Sequence, residues 1–329
     1  MASRQDEAAY LCLAGLASAS PAFSVLAQTA PRNATVGFLV GASLAVDKPW
    51  VDAFLARLAE LGWKEGSTLT FLPRDVQGNN DRAMTLAADL VERKVDVIVT
   101  SGTPAAQAAK RATSTIPIVL GLVSEPVASG LVASLTRPGG NITGIDNLQS
   151  VVADKRVGLL REMMPSMRRL GILVNPAAQG AVWEMESARA AARAAGLEVV
   201  VREPRDPGEI EAALAGLKGV QAVNVCADPM LGQQARRINA FALQERIAAA
   251  WGARALFEGG ALMSYGSNYP DLMRRAADYV DRILRGAKPG DLPIEQAVKF
   301  DLAINLGVAR TLGIVVPQTV LVAADEVVE

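Results

Sequence analysis

Ser101-Gly102-Thr103-Pro104 is the stretch whose residue types and spacing most directly suggest chemistry. It follows the apolar run Val95-Asp96-Val97-Ile98-Val99-Thr100 and precedes Ala105-Ala106-Gln107-Ala108-Ala109-Lys110, so it reads as the corner between a buried strand and a helix. Gly102 lets the backbone approach a bound group closely, Thr103 places a hydroxyl at the helix start, and Pro104 suits the first helical turn. The free N–H groups and positive end of such a helix hold a carboxylate or another anion. Thr103 also serves as a local helix cap in a competing reading, and the residue types leave both open.

Other polar residues stand at or just beyond the ends of apolar runs. Ser43, Ser124 and Glu125 join the Ser101 corner in the first half of the chain, and Asn175 and Asp228 occupy similar places in the second. Short hydroxyl side chains admit and orient a small ligand, Glu125 or Asp228 accepts from an ammonium group, and Asn175 both donates and accepts. A solvated loop carboxylate is the alternative for Glu125, and helix capping is the alternative for Asn175 and Asp228. Tyr265, before Gly266, offers a ring to cover an apolar ligand or else packs as a structural aromatic. Trp183 and Trp251 are read as core residues on apolar helix faces, with closure over the pocket as the alternative for either. The candidate site is therefore a ligand-binding set with no catalytic residues, metal ligands or cofactor.

Positioning these residues requires two series of strands and helices. Strands are expected at 34–40, 68–72, 96–100 and 116–120, with a short crossing strand at 142–145. Trp50, Phe54, Leu58 and Leu61 share a helix face ended by Gly62, and another helix covers 81–93. A second series runs through a helix at 155–164, strands at 170–174, 197–201 and 222–225, and helices around Met185 and Ile210. Two such open sheets place the loops at their strand ends around a shared cleft.

Composition removes several function classes. The chain has 329 residues, half of them hydrophobic, so it can bury a large core in two domains. Lys and Arg number 33 against 34 Asp and Glu, a balance that gives no overall positive field for nucleic acid. No histidine is present, which removes histidine triads, histidine zinc sites and the usual neutral-pH base. Dinucleotide-binding, P-loop and nucleophile-elbow motifs are absent as well. Cys226 lies in an apolar run and reads as a packed residue; Cys12 falls in the Ala- and Leu-rich segment 8–27, which ends in Val25-Leu26-Ala27 like a signal peptide.

The order of further motifs makes a family resemblance specific. Thr115-Ile116-Pro117-Ile118-Val119, Arg137-Pro138-Gly139-Gly140-Asn141-Ile142-Thr143-Gly144 and Met263-Ser264-Tyr265-Gly266 follow the Ser101 corner. Then come Arg274-Arg275-Ala276-Ala277-Asp278-Tyr279-Val280, Gly286-Ala287-Lys288-Pro289-Gly290-Asp291 and Ala324-Asp325-Glu326-Val327-Val328-Glu329. With these motifs the chain resembles the extracytoplasmic substrate-binding proteins of ABC transporters, whose characterised relatives bind tryptophan or tyrosine.

The resemblance implies an α/β fold of the type I periplasmic-binding-protein kind, two parallel-sheet lobes flanked by helices around a cleft. It implies a signal peptide over 1–27, a first lobe of 31–148 plus about 264–290, and a second lobe of 149–263 plus about 291–329. The expected activity is capture of a small solute, such as an amino acid or aromatic carboxylate, and its delivery to a membrane permease from the periplasm. The expected protein is a monomer without enzymatic activity, cofactor or nucleic-acid partner. A two-lobe ligand sensor and, further off, an α/β enzyme are the alternatives.

Overall fold

The computed structural model describes residues 33–329; the expected signal peptide and Cys12 lie outside the described residues. The first series comprises β1 (Ala34–Val40), α1 (Leu44–Glu60), β2 (Leu69–Asp75), α2 (Asn80–Glu92), β3 (Val97–Ser101), α3 (Thr103–Ala112), β4 (Ile118–Val123) and β5 (Ile142–Asp146). The second comprises α4 (Gln149–Met163), β6 (Arg169–Leu173), α5 (Gln179–Ala194), β7 (Glu198–Arg202), α6 (Ile210–Ala215), β8 (Ala222–Val225), α7 (Pro229–Gln233), α8 (Ala235–Gln244), β9 (Ala248–Trp251), α9 (Arg254–Phe257) and β10 (Met263–Ser267). The chain then returns to the first lobe with α10 (Tyr269–Leu284) and β11 (Glu295–Gln296). It ends in the second lobe with β12 (Phe300–Asn305), α11 (Leu306–Leu312), α12 (Gln318–Ala323) and β13 (Glu326–Val328).

Both sheets repeat one topology. The first is ordered β2-β1-β3-β4-β5 with β11 beside β5, and the second β7-β6-β8-β9-β10 followed by β12 and β13. All pairings are parallel except β10 with β12. Alternation along each strand divides its side chains between two cores, as a buried parallel sheet requires. In β1, Val36, Phe38 and Val40 pack with Trp50, Phe54 and Leu58 of α1, whereas Leu39 packs with Ala83, Ala87 and Leu90 of α2. The expected two-lobe α/β fold is the observed one.

Helix α10 belongs to the first lobe. Trp63 Nε1 donates to Asp281 at 2.8 Å, and Arg57 Nε donates to Asp278 at 2.7 Å, fixing α10 against the first helix. The backbone crosses between sheets at 147–148, at Asn268 and over 297–299. These crossings lie side by side: Asn268 N–H donates to Lys299 O at 2.9 Å, Ala297 N–H donates to Asp146 O at 2.9 Å, and Ser267 Oγ donates to Asn147 O. Residues 264–267 thus extend the second sheet, and 295–296 extend the first, a few residues from the boundaries expected at 264 and 291. The displacement arises because crossing strands pair fully before the chain changes lobe.

Two helix expectations shift for similar reasons. Helix α4 begins at Gln149 rather than Lys155, since its first turn is buried in the crossing. Trp251, assigned to a helix face by its Ala-rich surroundings, instead ends strand β9, where complete burial overrides the helical propensity of Ala248-Ala249-Ala250.

Candidate functional site

A cleft of about 700 Å³, its open mouth included, lies between the strand ends of the two lobes. The first lobe supplies the β1–α1 junction, the β3–α3 corner, the end of β4 and the start of α10. The second supplies the start of α5, the β8–α7 corner and the end of β9. Its walls are mainly apolar, through Val46, Trp50, Leu122, Ala181, Trp251, Leu256 and Tyr269. Trp50 and Tyr269 meet edge to face with ring centroids 5.0 Å apart.

The lobes touch across this cleft. Gln233 Nε2 of α7 donates to Ala42 O of the first lobe at 2.7 Å. Pro229 sits so close to Gly102 that a Cβ there would lie 2.9 Å from Pro229 Cγ, and Gly102 also has φ 88°. From the opposite side, a Cβ on Gly180 would lie 3.0 Å from Thr103 Oγ1. Small residues at the seam permit the closed arrangement.

Ser101 and Thr103 differ in what their hydroxyls do. Ser101 Oγ accepts from Gly41 N–H at 2.8 Å and donates to Asp47 Oδ2 at 2.8 Å, so its proton is already committed. Thr103 Oγ1 makes no hydrogen bond among the described residues, and Gly102 gives α3 no side-chain cap. The Thr103 corner consequently offers a hydroxyl and unsatisfied helix N–H groups to an anion. Capping is not the role of Thr103, because it is the first residue inside the helix.

Among the described residues, two carboxyl groups line the cleft and no Lys or Arg does. Asp47, 2% exposed, has one oxygen bonded to Ser101 and the other without a partner among the described residues. Burial, assisted by nearby Asp75, pushes its carboxyl up to about 7 despite the Ser101 hydrogen bond. Asp228 caps α7 by accepting from Leu231 N–H at 2.9 Å and also accepts from Asn175 Nδ2 at 3.3 Å. Burial raises its carboxyl to about 6, with those hydrogen bonds pulling the other way.

A buried polar chain underlies the floor. Arg156, fully buried with Glu184, donates to that carboxylate, to Asn224 Oδ1 at 3.0 Å and to Gln149 Oε1 at 2.9 Å. Gln149 Nε2 donates to the Tyr269 hydroxyl at 3.2 Å, and Glu184 accepts from Ala227 N–H at 2.8 Å. The same ion pair thereby supports an aromatic wall and the backbone before Asp228.

Residues 43–328 match the family model for ABC transporter substrate binding protein. The chain belongs to that family. The substrate-binding protein is 27% identical over 278 residues to the tyrosine-binding protein of Clostridioides difficile strain R20291, covering 83% of this chain and 80% of the relative. A solved domain from Streptococcus pneumonia in complex with L-Trp is 27% identical, with a TM-score of 0.84 over 90% of this chain and 100% of that one. The ligand-free, open structure of a substrate-binding protein with adhesive properties from Clostridium difficile is 25% identical but has a TM-score of 0.65, over 90% and 99%. The greater likeness to the liganded structure accords with lobes in contact.

The nine residues singled out by sequence separate in this substrate-binding protein. Ser101, Gly102, Thr103, Ser124 and Asp228 line the cleft; Ser43, Glu125, Asn175 and Tyr265 do not. Ser43 caps α1 through Val46 N–H, Glu125 accepts from Ser150 Oγ beside the crossing, and Asn175 supports Asp228 from behind. Tyr265 lies in the second-lobe core, stacked with Phe300 at 6.5 Å, because the pleat of β10 turns it away from the cleft. The tyrosine on the cleft is Tyr269, four residues later. Its place at the N-terminus of α10 is the same strand-to-helix signal that marked Thr103, whereas Asp47, in the first turn of α1, is absent from the nine and carries only the signal of a carboxylate on an otherwise apolar helix face.

Proposed function

We propose that the protein captures an aromatic amino acid outside the cytoplasm and delivers it to the membrane permease of an ABC importer. The observation that carries this reading is the closed cleft that combines the free Thr103 hydroxyl and uncapped α3 terminus with Trp50, Tyr269 and Trp251. The ligand carboxylate sits at the Gly102–Thr103 corner, where N–H groups and a hydroxyl oppose its charge. Its side chain occupies the aromatic end. Ser101, Ser124 and Asp228 complete the proposed ligand-facing set.

The tyrosine and L-Trp named for two relatives support an aromatic amino acid over an acid lacking the amine. Binding favours the closed form because both lobes contribute contacts only when they meet. The protein acts as a monomeric carrier and leaves its ligand chemically unchanged. No helix among the described residues is long and apolar enough to cross a membrane.

Mass spectrometry of molecules released from the denatured protein, followed by calorimetry with L-tryptophan, L-tyrosine and L-phenylalanine, tests the capture step. Saturable binding of at least one, with the ligand recovered unchanged, is expected. Absence of binding by all three would overturn the aromatic amino-acid reading. Protein-dependent, ATP-driven uptake of the bound species into membrane vesicles tests delivery.

A further inference from the structure

Asp47 is placed for a role that its structural contacts do not use. The side chain enters the cleft from the first turn of α1, next to Trp50. The relay from Gly41 N–H through Ser101 Oγ to Asp47 Oδ2 orients the carboxyl group. Asp47 Oδ1 remains buried without a hydrogen-bond partner of ordinary geometry among the described residues, although the nearby Ala42 backbone N–H favours the charged form of the carboxyl.

Among the described residues no Lys or Arg lines the cleft to compensate a charge on Asp47. Asp75 approaches from the end of β2, Asp228 lines the cleft from the second lobe, and the phenol of Tyr269 comes from α10. On its own helix, Lys48 is exposed and paired with Asp52 at 2.6 Å. Desolvation and Asp75 together push Asp47 up to about 7. A neutral acid in the empty cleft avoids an uncompensated buried charge.

We propose that Asp47 is the acceptor for the ligand ammonium group and that capture exchanges its acidic proton for that ammonium. The inference rests on the reading that an amino acid occupies the cleft. The ligand arrives as R–NH3+, Asp47 changes from carboxylic acid to carboxylate, and one proton passes to the solvent. No covalent bond to the ligand forms. Asp228 serves less well as this acceptor because its two oxygens already serve Leu231 N–H and Asn175 Nδ2. Asp47 therefore distinguishes an amino acid from an aromatic acid of the same shape without the amine.

Calorimetry with L-tryptophan, L-tyrosine and L-phenylalanine in two buffers of unlike ionisation heat that titrate near the working pH, MES and Bis-Tris at pH 6 or Tris and bicine at pH 8.5, tests the exchange. At pH 6 the protein releases close to one proton per bound amino acid; at pH 8.5 it releases almost none. Affinity rises by about tenfold per pH unit from pH 5 to 6.5 and levels off above 7, as linkage to one proton requires. Asp47→Asn removes both the proton release and the slope and weakens binding by tenfold or more. Indole-3-propionate, which lacks the amine, gives no proton release.

Equal heats in the two buffers with an amino acid bound at pH 6 would overturn the exchange and leave the capture reading intact. Failure of all three amino acids to bind would overturn both. Retention of the pH slope in folded Asp47→Asn would assign the proton elsewhere and overturn the role of Asp47. The wild-type buffer comparison decides the exchange even if that variant fails to fold.

Discussion

Ser101 and Thr103 stand on one corner, yet only Thr103 has a hydroxyl free to meet a ligand. Thr103→Val preserves the shape and removes the donor, so affinity for L-tryptophan falls by about 10- to 100-fold, the range of a lost hydrogen bond to a charged group. Calorimetry checks the loss, and an unchanged melting temperature confirms that the corner still folds. Asp47 has a separate signature in the ligand-free protein. Below about pH 4 it is protonated in both folded and unfolded chains. Between about 4 and the folded value near 7, the unfolded chain ionises while the folded one retains its proton, so stability falls as pH rises. The loss reaches as much as about 4 kcal/mol by linkage and stops above 7. Asp47→Asn removes this part of the slope in denaturant unfolding measured from pH 4 to 8.

At the scale of elements, the seam between α3, α5 and α7 controls how far the lobes close. Gly180 lies in the first turn of α5, and its missing Cβ leaves room for Thr103 Oγ1 and for Ser124 Cβ, 3.2 Å from where that atom would stand. Gly180→Ala suits a helix better than glycine does, so the second lobe loses no stability. The added methyl nevertheless presses on the opposing lobe only when the two meet. Affinity for L-tryptophan falls about tenfold, equivalent to about 1.4 kcal/mol. Small-angle scattering with saturating ligand shows a less compact particle than wild type, while the melting temperature without ligand is unchanged or higher.

Across the whole molecule, the Arg156–Glu184 pair links the floor of the cleft to the crossing at Gln149 and to Tyr269. Both side chains are fully buried, so deleting one leaves the other without its counter-charge. Arg156→Met costs about 3–5 kcal/mol of stability, whereas Arg156→Met with Glu184→Leu recovers most of that loss because no isolated charge remains. Chemical denaturation of the single and double variants checks the difference. The three adjacent crossings hold this network where the two lobes join.

The sequence by itself determined the two α/β series, because the apolar runs and their glycine and proline boundaries are local features that each strand and helix needs. It also marked the Ser101–Thr103 corner, Ser124 and Asp228 among the polar residues at strand ends, although Ser43, Glu125 and Asn175 at similar places turn to local hydrogen bonds instead. Tertiary structure decided the rest of the site. The pleat of β10 sends Tyr265 into the core, and the second crossing brings Tyr269 to the cleft instead. Trp251 becomes a strand residue because its neighbours bury it, although the alanines before it favour helix. Asp47 acquires its character from Ser101, Asp75 and the closed second lobe, groups far from it in sequence. Local chemistry set which residues could bind, and three-dimensional packing decided which of their protons and oxygens remained free to do so.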